Sequence, residues 1–379
     1  MRLAFLVAMV VTVLSLLLSA CGGPAATPAP ATPAPGATPT PRVSPPTPVA
    51  GTPAPTAPAK PFEFKVSTFV APKHHINVNV TERWGAEVEK QSGGRIKFTY
   101  YHAQALGRSA DHYDMAAKGV AEVVLFVPGY TAGRFPLSSV GELAFLHPTA
   151  SMGSEIVSSM FPQYFAREYP EAKVLGLGTT SVYHVYTTKK AVYKLEDLKG
   201  LKLRNPGGAV TPVLQALGTT PVTIAAGDIY VSMERGVVDG LVISHASIKD
   251  YGLEKLLKYA AEVGLGSPVV GMAMNKDAYN KLPPDLQKVI DEVSANIPRW
   301  MGGSYDGDDE KGVAWLQSIG AQFYALDPAE LARWKQVVLP VYDKWVADLE
   351  AKGLPGKAVL NAYYKELEKR GVTPPTPPK

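Results

Sequence analysis

The segment A-E-V-V-L-F-V at residues 121–127 is apolar at every position but one, and it constrains the fold more than any other feature. A strand with one wet face alternates apolar and polar residues, whereas a continuous run suits a sheet covered on both faces. Two alternating segments precede it: F-E-F-K-V-S-T-F-V from Phe62 and R-I-K-F-T-Y-Y from Arg95, each of which reads as a strand. Between them Ile76, Val80, Trp84 and Val88 recur at every fourth residue, one apolar stripe on a helix that stops at Gly93-Gly94, where a left-handed cap costs least. Trp84 is read as a core anchor. A second helix runs to about Lys118. Strand, helix, strand, helix, strand is the grammar of an open α/β sheet, and ligands bind such sheets at the loops leaving the strands' carboxyl ends. In the loop V-P-G-Y-T-A-G-R-F-P-L, Tyr130 and Arg134 are therefore candidates to face a cleft.

A second α/β unit follows. A helix over about Ser151 to Glu168 leads to strands at Lys173–Thr179, Val182–Thr188 and Leu201–Arg204. Ala209–Leu217 reads as a helix stopped by Gly218, and Asp228 as the cap of a helix ending at Arg235. Ser267–Met274 is strand-like and a candidate to return to the first unit. The rest is mostly helical: Pro284–Trp300, a stretch broken by Asp306-Gly307-Asp308-Asp309, Lys311–Ile319, a strand A-Q-F-Y-A-L, a long amphipathic helix from Asp327-Pro328, and a last helix over about Lys357–Arg370. In the long helix Leu331, Trp334, Val338 and Tyr342 share one side, and Pro340 predicts a kink. The two halves show no sequence repeat.

The ends are different material. Residues Met1 to Cys21 read as a signal peptide, with Arg2 as the charged region and Leu3–Leu18 as the apolar core, a run that is also about the length of a short membrane span. The ending Leu18-Ser19-Ala20-Cys21 resembles a bacterial lipobox, in which the cysteine is lipidated and becomes the first residue. Cys21 is the only cysteine in the chain, and lipidation accounts for an unpaired thiol in an exported protein. Residues 22–60 are about a third proline, with alanine and threonine making up most of the rest, and have nothing to bury. They predict an extended tether with a reach on the order of 100 Å at ~3.1 Å per residue. Residues 371–379 predict a flexible tail.

The net charge of +4 is spread out, without a run of basic residues, and offers no footprint for nucleic acid. No Walker loop, H-E-x-x-H, G-x-S-x-G or dinucleotide fingerprint is present, and no cofactor is expected. The acidic run 306–310 lacks the alternation of a calcium loop and reads as a solvated helix start. His74-His75 lacks a third ligand nearby in sequence, and adjacent side chains diverge on a regular backbone, so a metal site is not expected there. Arg204 stands out. It ends a short strand just before Pro206-Gly207-Gly208 and a helix, where a guanidinium fork and a helix start could together grip a carboxylate.

W-x-x-E-V-E-K-x-S-G-G-R-I-K, the following A-L-G, G-Y-T-A-G-R-F-P-L-S-S-V-G-E-L-A-F, D-L-K-G-L-K-L-R-N-P-G-G and I-Y-x-S-M-E-R-G-V-V-D-G occur in one order. Together these blocks resemble the DctP-type solute-binding proteins of tripartite ATP-independent periplasmic (TRAP) transporters over most of Phe62 to Arg370. The resemblance implies an α/β, two-lobe periplasmic-binding-protein-like fold with hinge strands, a long helix spanning both lobes and a ligand enclosed between them. It groups residues 62–182 and 270–312 as lobe I and 183–269 and 313–370 as lobe II. It implies no reaction, but capture of an organic acid outside the cytoplasm, near the lipid anchor at Cys21, and delivery to integral membrane subunits of the transporter. A binding protein of an ATP-driven transporter, a ligand-sensing lipoprotein and a secreted enzyme on the same fold are the rival readings.

The same resemblance assigns Arg204 to the ligand carboxylate and makes Tyr183 and His184, just before that block, cleft candidates. Tyr130, Arg134 and His74 are candidates for the remaining donors. Two departures bear on the ligand. Tyr183 stands about where sialic-acid-type members carry a second arginine, which disfavours a polyhydroxylated sugar acid. After G-V-V-D-G, where many members have Q-E-N-P, this chain has Leu241-Val242-Ile243-Ser244-His245. The family amide is missing, with His245 or Ser244 as its substitute, and an apolar or aromatic carboxylate becomes the better expectation.

Overall fold

A computed structural model describes residues 60–375. The signal peptide, Cys21, all but the last residue of the tether, and residues 376–379 lie outside the described residues. Two sheets organise the rest. The first has the order β2 (Ile96–Tyr101), β1 (Phe62–Ser67), β3 (Val123–Phe126), β10 (Val269–Asn275), β4 (Ala172–Thr179). Strand β1 runs parallel to β2 and β3, and β10 inserts antiparallel between β3 and β4, so the strand-like run near Ser267 does return to the first unit. All four residues of β3 are buried, as its continuous apolar pattern requires.

The second sheet has the order β11 (Gln322–Ala325), β9 (Tyr259–Leu265), β5 (Tyr183–Thr187), β8 (Gly240–Ile243), β6 (Lys202–Asn205), β7 (Thr220–Thr223). Three of these strands, β7, β8 and β9, were not read from the sequence: β7 is a four-residue segment containing Pro221, and β8 and β9 hold glycines that blur the pattern. The chain passes between the sheets along two paired crossings, where Thr180 N–H donates to Pro268 O at 3.0 Å and Tyr183 N–H to Gly266 O at 3.3 Å. The fold is the two-lobe α/β arrangement that the sequence motifs implied.

Helices α1 (Arg83–Gln91), α2 (His112–Lys118) and α3 (Ala150–Met160) belong to the first lobe. A π-helical stretch, Asn77–Glu82, leads into α1. Its wider turn explains why the apolar stripe keeps a strict four-residue spacing, with Ile76, Val80, Trp84 and Val88 all at 1% exposure or less. The second lobe carries α4 (Leu195–Leu198), α5 (Val210–Ala216), α6 (Ile229–Glu234) and α7 (His245–Asp250). Asp228 does not cap α6 with its side chain, because a 3-10 turn at Ala226–Asp228 leaves it at φ −107°, ψ 2° instead of the extended geometry that capping needs.

After α8 (Lys276–Asn280) and α9 (Pro284–Ser294) comes α10 (Ile297–Ser318), a single 22-residue helix. The expected break and solvated helix start at residues 306–310 are absent. Asp306 accepts the Ala150 and Ser151 N–H groups at 2.7 and 2.9 Å, capping α3, and Asp309 accepts the Ala246 N–H at 2.8 Å, capping α7. Two of its glycines serve packing: a Cβ on Gly302 would lie 2.5 Å from Ser151 Cα, and one on Gly312 would lie 2.7 Å from His245 O. One helix thereby closes against both lobes.

A second helix, α11 (Pro328–Glu350), also spans them, continuous through Pro340 and about 35 Å long at 1.5 Å per residue. Near its start Glu330 accepts the Leu195 N–H at 2.8 Å and Arg333 pairs with Glu196 in the second lobe. Near its end Trp345 donates to Ser139 at 2.9 Å and Tyr342 to the Ala144 carbonyl in the first. The last helix, α12 (Gly356–Lys369), grouped in the sequence with the second lobe, lies against α3, where Tyr363 meets His147 Nδ1 at 2.7 Å.

Candidate functional site

Strand ends from both sheets converge on one chamber. Phe69 and Val70 follow β1, Val127 and Tyr130 follow β3, Arg204 and Pro206 come from the end of β6, and Ile243 and Ser247 from the end of β8. Tyr183, Tyr251, Tyr305 and Thr180 join them, and most of the remaining wall is aliphatic. The chamber thus lies where an open α/β sheet places ligands, doubled because two sheets face each other.

Arg204 is 1% exposed, and its Nε donates to the Ile224 carbonyl at 2.8 Å. Among the described residues no ion pair joins it to an acid, although burying a charge without a counter-charge is costly. Tyr130 and Tyr183 stand beside it. Burial raises the pKa of both phenols, and the positive charge of Arg204 offsets part of that rise. Tyr251 and Tyr305 are likewise raised by burial, so all four hydroxyls are neutral donors at physiological pH. The Tyr130 hydroxyl also accepts the Ala226 N–H at 3.0 Å and so ties the first lobe to the second. Its ring meets Phe69 edge to face at 5.8 Å.

The other sequence candidates are placed elsewhere. His184 follows Tyr183 on β5 but does not line the chamber. It stacks on His245 with ring centroids 3.9 Å apart, and His245 in turn bonds the Tyr186 hydroxyl. His74 sits behind the wall, edge to face on Tyr251 at 5.2 Å. Arg134 is held outside the chamber by Asp114 at 2.6 Å and lies over the Tyr113 ring. Among the lining residues missed by sequence, Phe69, Ser247, Tyr251 and Tyr305 come from three separate regions. Only Phe69 carried a signal, as a residue just past a strand's carboxyl end.

Two histidine-carboxylate groups have metal-like composition: His74, His75 and Asp250, and His184, His245 and Asp309. The tertiary fold brings His75 to Asp308 at 3.5 Å and His74 to Asp250 at 3.4 Å, supplying the third partner absent from local sequence. In each group, however, one imidazole lone pair is already committed. His74 Nδ1 accepts the Ile76 N–H and His184 Nδ1 accepts the Val263 N–H, both at 3.2 Å. Burial, then the neighbouring histidine, lowers the pKa of His74 and His184 well below its usual value.

Two lobes, paired crossings and a chamber between facing strand ends are the architecture of a two-lobe solute-binding protein. The profile of the family described as bacterial extracellular solute-binding protein, family 7 (DctP) matches residues 66–348, and the chain belongs to that family. It is similar to a TRAP solute binding protein from Rhodoferax ferrireducens in complex with copurified benzoate, with 30% identity, a TM-score of 0.78 and coverage of 82% of this chain and 98% of that one. A marine metagenome TRAP solute binding protein specific for aromatic acid ligands, in complex with 3-hydroxybenzoate, matches at 26% identity and a TM-score of 0.79, covering 82% of this chain and 99% of the other. A TRAP periplasmic solute binding protein from Bordetella bronchiseptica with bound mandelate matches at 25% identity and a TM-score of 0.77, covering 82% and 100%. Proteins of this kind bind organic acids outside the cytoplasm. Among the described residues no helix is long and apolar enough to cross a membrane.

Proposed function

We propose that this protein captures an aromatic monocarboxylate between its lobes and presents it to the membrane subunits of a TRAP transporter, without catalysing a reaction. The observation that carries the reading is Arg204, a buried cation without an acidic partner among the described residues, set in a wall of tyrosines and aliphatic side chains. A carboxylate supplies the missing counter-charge in a planar fork, and the apolar wall suits a ring in place of a hydroxylated chain. Tyr130 and Tyr183 are the donors for the remaining oxygen lone pairs. The benzoate, 3-hydroxybenzoate and mandelate of the similar structures support this ligand class. So does Tyr183, which stands in place of a second arginine.

Lobe I is taken as residues 62–182 and 270–312 and lobe II as 183–269 and 313–370, except that Val269, which starts β10, and α12, which packs on α3, go with lobe I. Contacts made only when the lobes close shift the population toward the liganded form. Cys21 is the site of the lipid anchor, and residues 22–60 are the tether that holds the receptor near its membrane partners. Thermal-shift titration with benzoate, 3-hydroxybenzoate, mandelate, succinate and galacturonate tests the ligand, because a compound that binds only the folded chain raises its apparent stability with concentration. Stabilisation by the aromatic acids and none by the other two is expected; stabilisation by galacturonate alone overturns the aromatic reading. Radiolabelled fatty acid incorporated by the wild type and not by Cys21→Ser tests the anchor.

A further inference from the structure

We propose that Glu142 is the positioning residue that latches the closed state, its carboxylate bridging the hinge and the second lobe in a contact that exists only when the cleft is shut, so that closure on a ligand takes up a proton. The inference rests on the reading of the chain as a closing receptor. Glu142 belongs to the first lobe and is 1% exposed. One carboxylate oxygen accepts the Ala209 N–H at 2.8 Å, in the turn that follows Arg204; the other faces the Val269 N–H at 3.4 Å, where the crossing strand enters the first sheet. The second lobe is shaped to receive it. A Cβ on Gly208 would lie 1.7 Å from the Glu142 carboxylate, and one on Gly266, in the other crossing segment, would lie 1.9 Å from the Glu142 carbonyl. Gly207 is equally close-fitted, its Cβ position falling 2.2 Å from the Gly129 carbonyl of the first lobe. Opening the cleft must break the Ala209 contact while the Val269 contact remains within the first lobe.

Burial raises the Glu142 pKa to about 7 in this closed form, with the Ala209 and Val269 N–H groups pulling the other way. The other carboxyl at this turn is Glu168, which accepts the Leu137 and Ser138 N–H groups in the first lobe and is also raised by burial; it makes no contact with the second lobe. Tyr130, Tyr169 and Tyr183 are phenols raised by burial, and the segments at Gly208–Ala209, Gly266–Pro268 and β10 carry no ionisable side chain. In an open cleft the carboxylate is solvated and returns toward its ordinary value. The closed form then binds the proton more tightly, so closure is favoured as pH falls through about 7 and that gain is lost at higher pH.

Calorimetric titration of benzoate into the full chain between pH 5.5 and 8.5, in buffers of different ionisation enthalpy, reads both affinity and proton uptake. The wild type is expected to bind ~10-fold or more tightly at pH 5.5 than at 8.5, with about half a proton taken up at pH 7 and most of one near pH 6. Glu142→Gln, which keeps an oxygen for the Ala209 N–H, is expected to bind like the low-pH wild type throughout, with no uptake; Glu142→Ala is expected to bind weakly at every pH. A second measurement needs no ligand. Spin labels on Lys97→Cys and Lys199→Cys in a Cys21→Ser background report the distance between lobes, and the closed fraction should grow on acidification in the wild type and not in Glu142→Gln. A failure of benzoate to bind at any pH overturns the ligand class while this distance still tests the latch. Wild type and Glu142→Gln sharing one pH profile in both measurements, or Glu142→Ala leaving the closed fraction unchanged, overturns the latch.

Discussion

Arg204 donates its Nε to the carbonyl of Ile224 at 2.8 Å, which fixes the guanidinium plane beside the Tyr130 and Tyr183 hydroxyls. A side chain that must satisfy a backbone carbonyl and a carboxylate at once needs a fork. Arg204→Lys cannot do both, and Arg204→Ala does neither. Both substitutions are expected to cost about 2–5 kcal/mol of benzoate affinity by calorimetry. The ligand-free melting temperature of Arg204→Ala should not fall, because an uncompensated buried charge has been removed. Unchanged affinity in either variant removes Arg204 from the site.

Tyr130→Phe deletes the acceptor of the Ala226 N–H across the cleft and one neighbour of the Arg204 fork. The loss should appear in binding at about 1–3 kcal/mol, since the orphaned N–H is buried only in the closed form. An equal loss of ligand-free stability would instead mark Tyr130 as a structural residue.

Asp306 caps α3 from a distant helix through two N–H groups. Asp306→Ala is expected to lower folding stability by about 1–2 kcal/mol in a denaturant titration, whereas Asp308→Asn, which removes a pair with exposed Lys311 and weakens a contact with His75, should cost less, under about 1 kcal/mol. Equal effects would mean that the acidic run acts only as a charged surface.

Gly302→Ala adds about 1 kcal/mol of intrinsic helix propensity yet drives a methyl group to within 2.5 Å of Ser151 Cα. Backbone must move, so net destabilisation of about 1–3 kcal/mol is expected. The same substitution at Gly303, whose Cβ position meets nothing within 4 Å, should stabilise the chain. Stabilisation by both would show that α10 does not need its close approach to α3.

Acid should unfold the chain through its buried histidines. Burial lowers the pKa of His147 and His75 to about 4, and that of His74, His112 and His184 in the same direction. The unfolded chain then binds more protons between about 4 and 6.5, so the stability these rings contribute is present above 6.5 and lost as pH falls through their folded values, up to about 3 kcal/mol for a shift like that of His147. Glu142, Glu168, Asp250 and Asp309, whose carboxyls burial raises, act with the opposite sign over part of this range. Melting temperatures measured from pH 7 to 4.5 should drop steeply in the wild type and less in His147→Gln; identical slopes would exclude His147 as a contributor.

Local pattern was sufficient where neighbours in sequence carry the physics. The continuous run of β3, the stripe from Ile76 to Val88 and the strand-then-turn setting of Arg204 each follow from periodicity and from residues a few positions apart, and each is found in place. The alternation at Tyr183-His184 was equally visible, but nothing in the segment itself says which face meets a cleft; the pairing of β5 between β8 and β9 decides that. Arg134 was indistinguishable from Arg204 as a cleft cation until Asp114 and Tyr113, about 20 positions upstream, were brought beside it. Glycine and aspartate at residues 302–312 break helices in isolation, where their propensity is poor and acids in mid-helix gain nothing. Here they let one helix approach two others and cap both, contacts whose partners lie about 60 to 155 residues away and which outweigh the local cost. The sequence by itself determined the alternation of elements and the cation at the end of β6. Only the tertiary structure decided which side chains surround that cation, because the choice depends on long-range pairing of strands and helices whose own segments are compatible with either face.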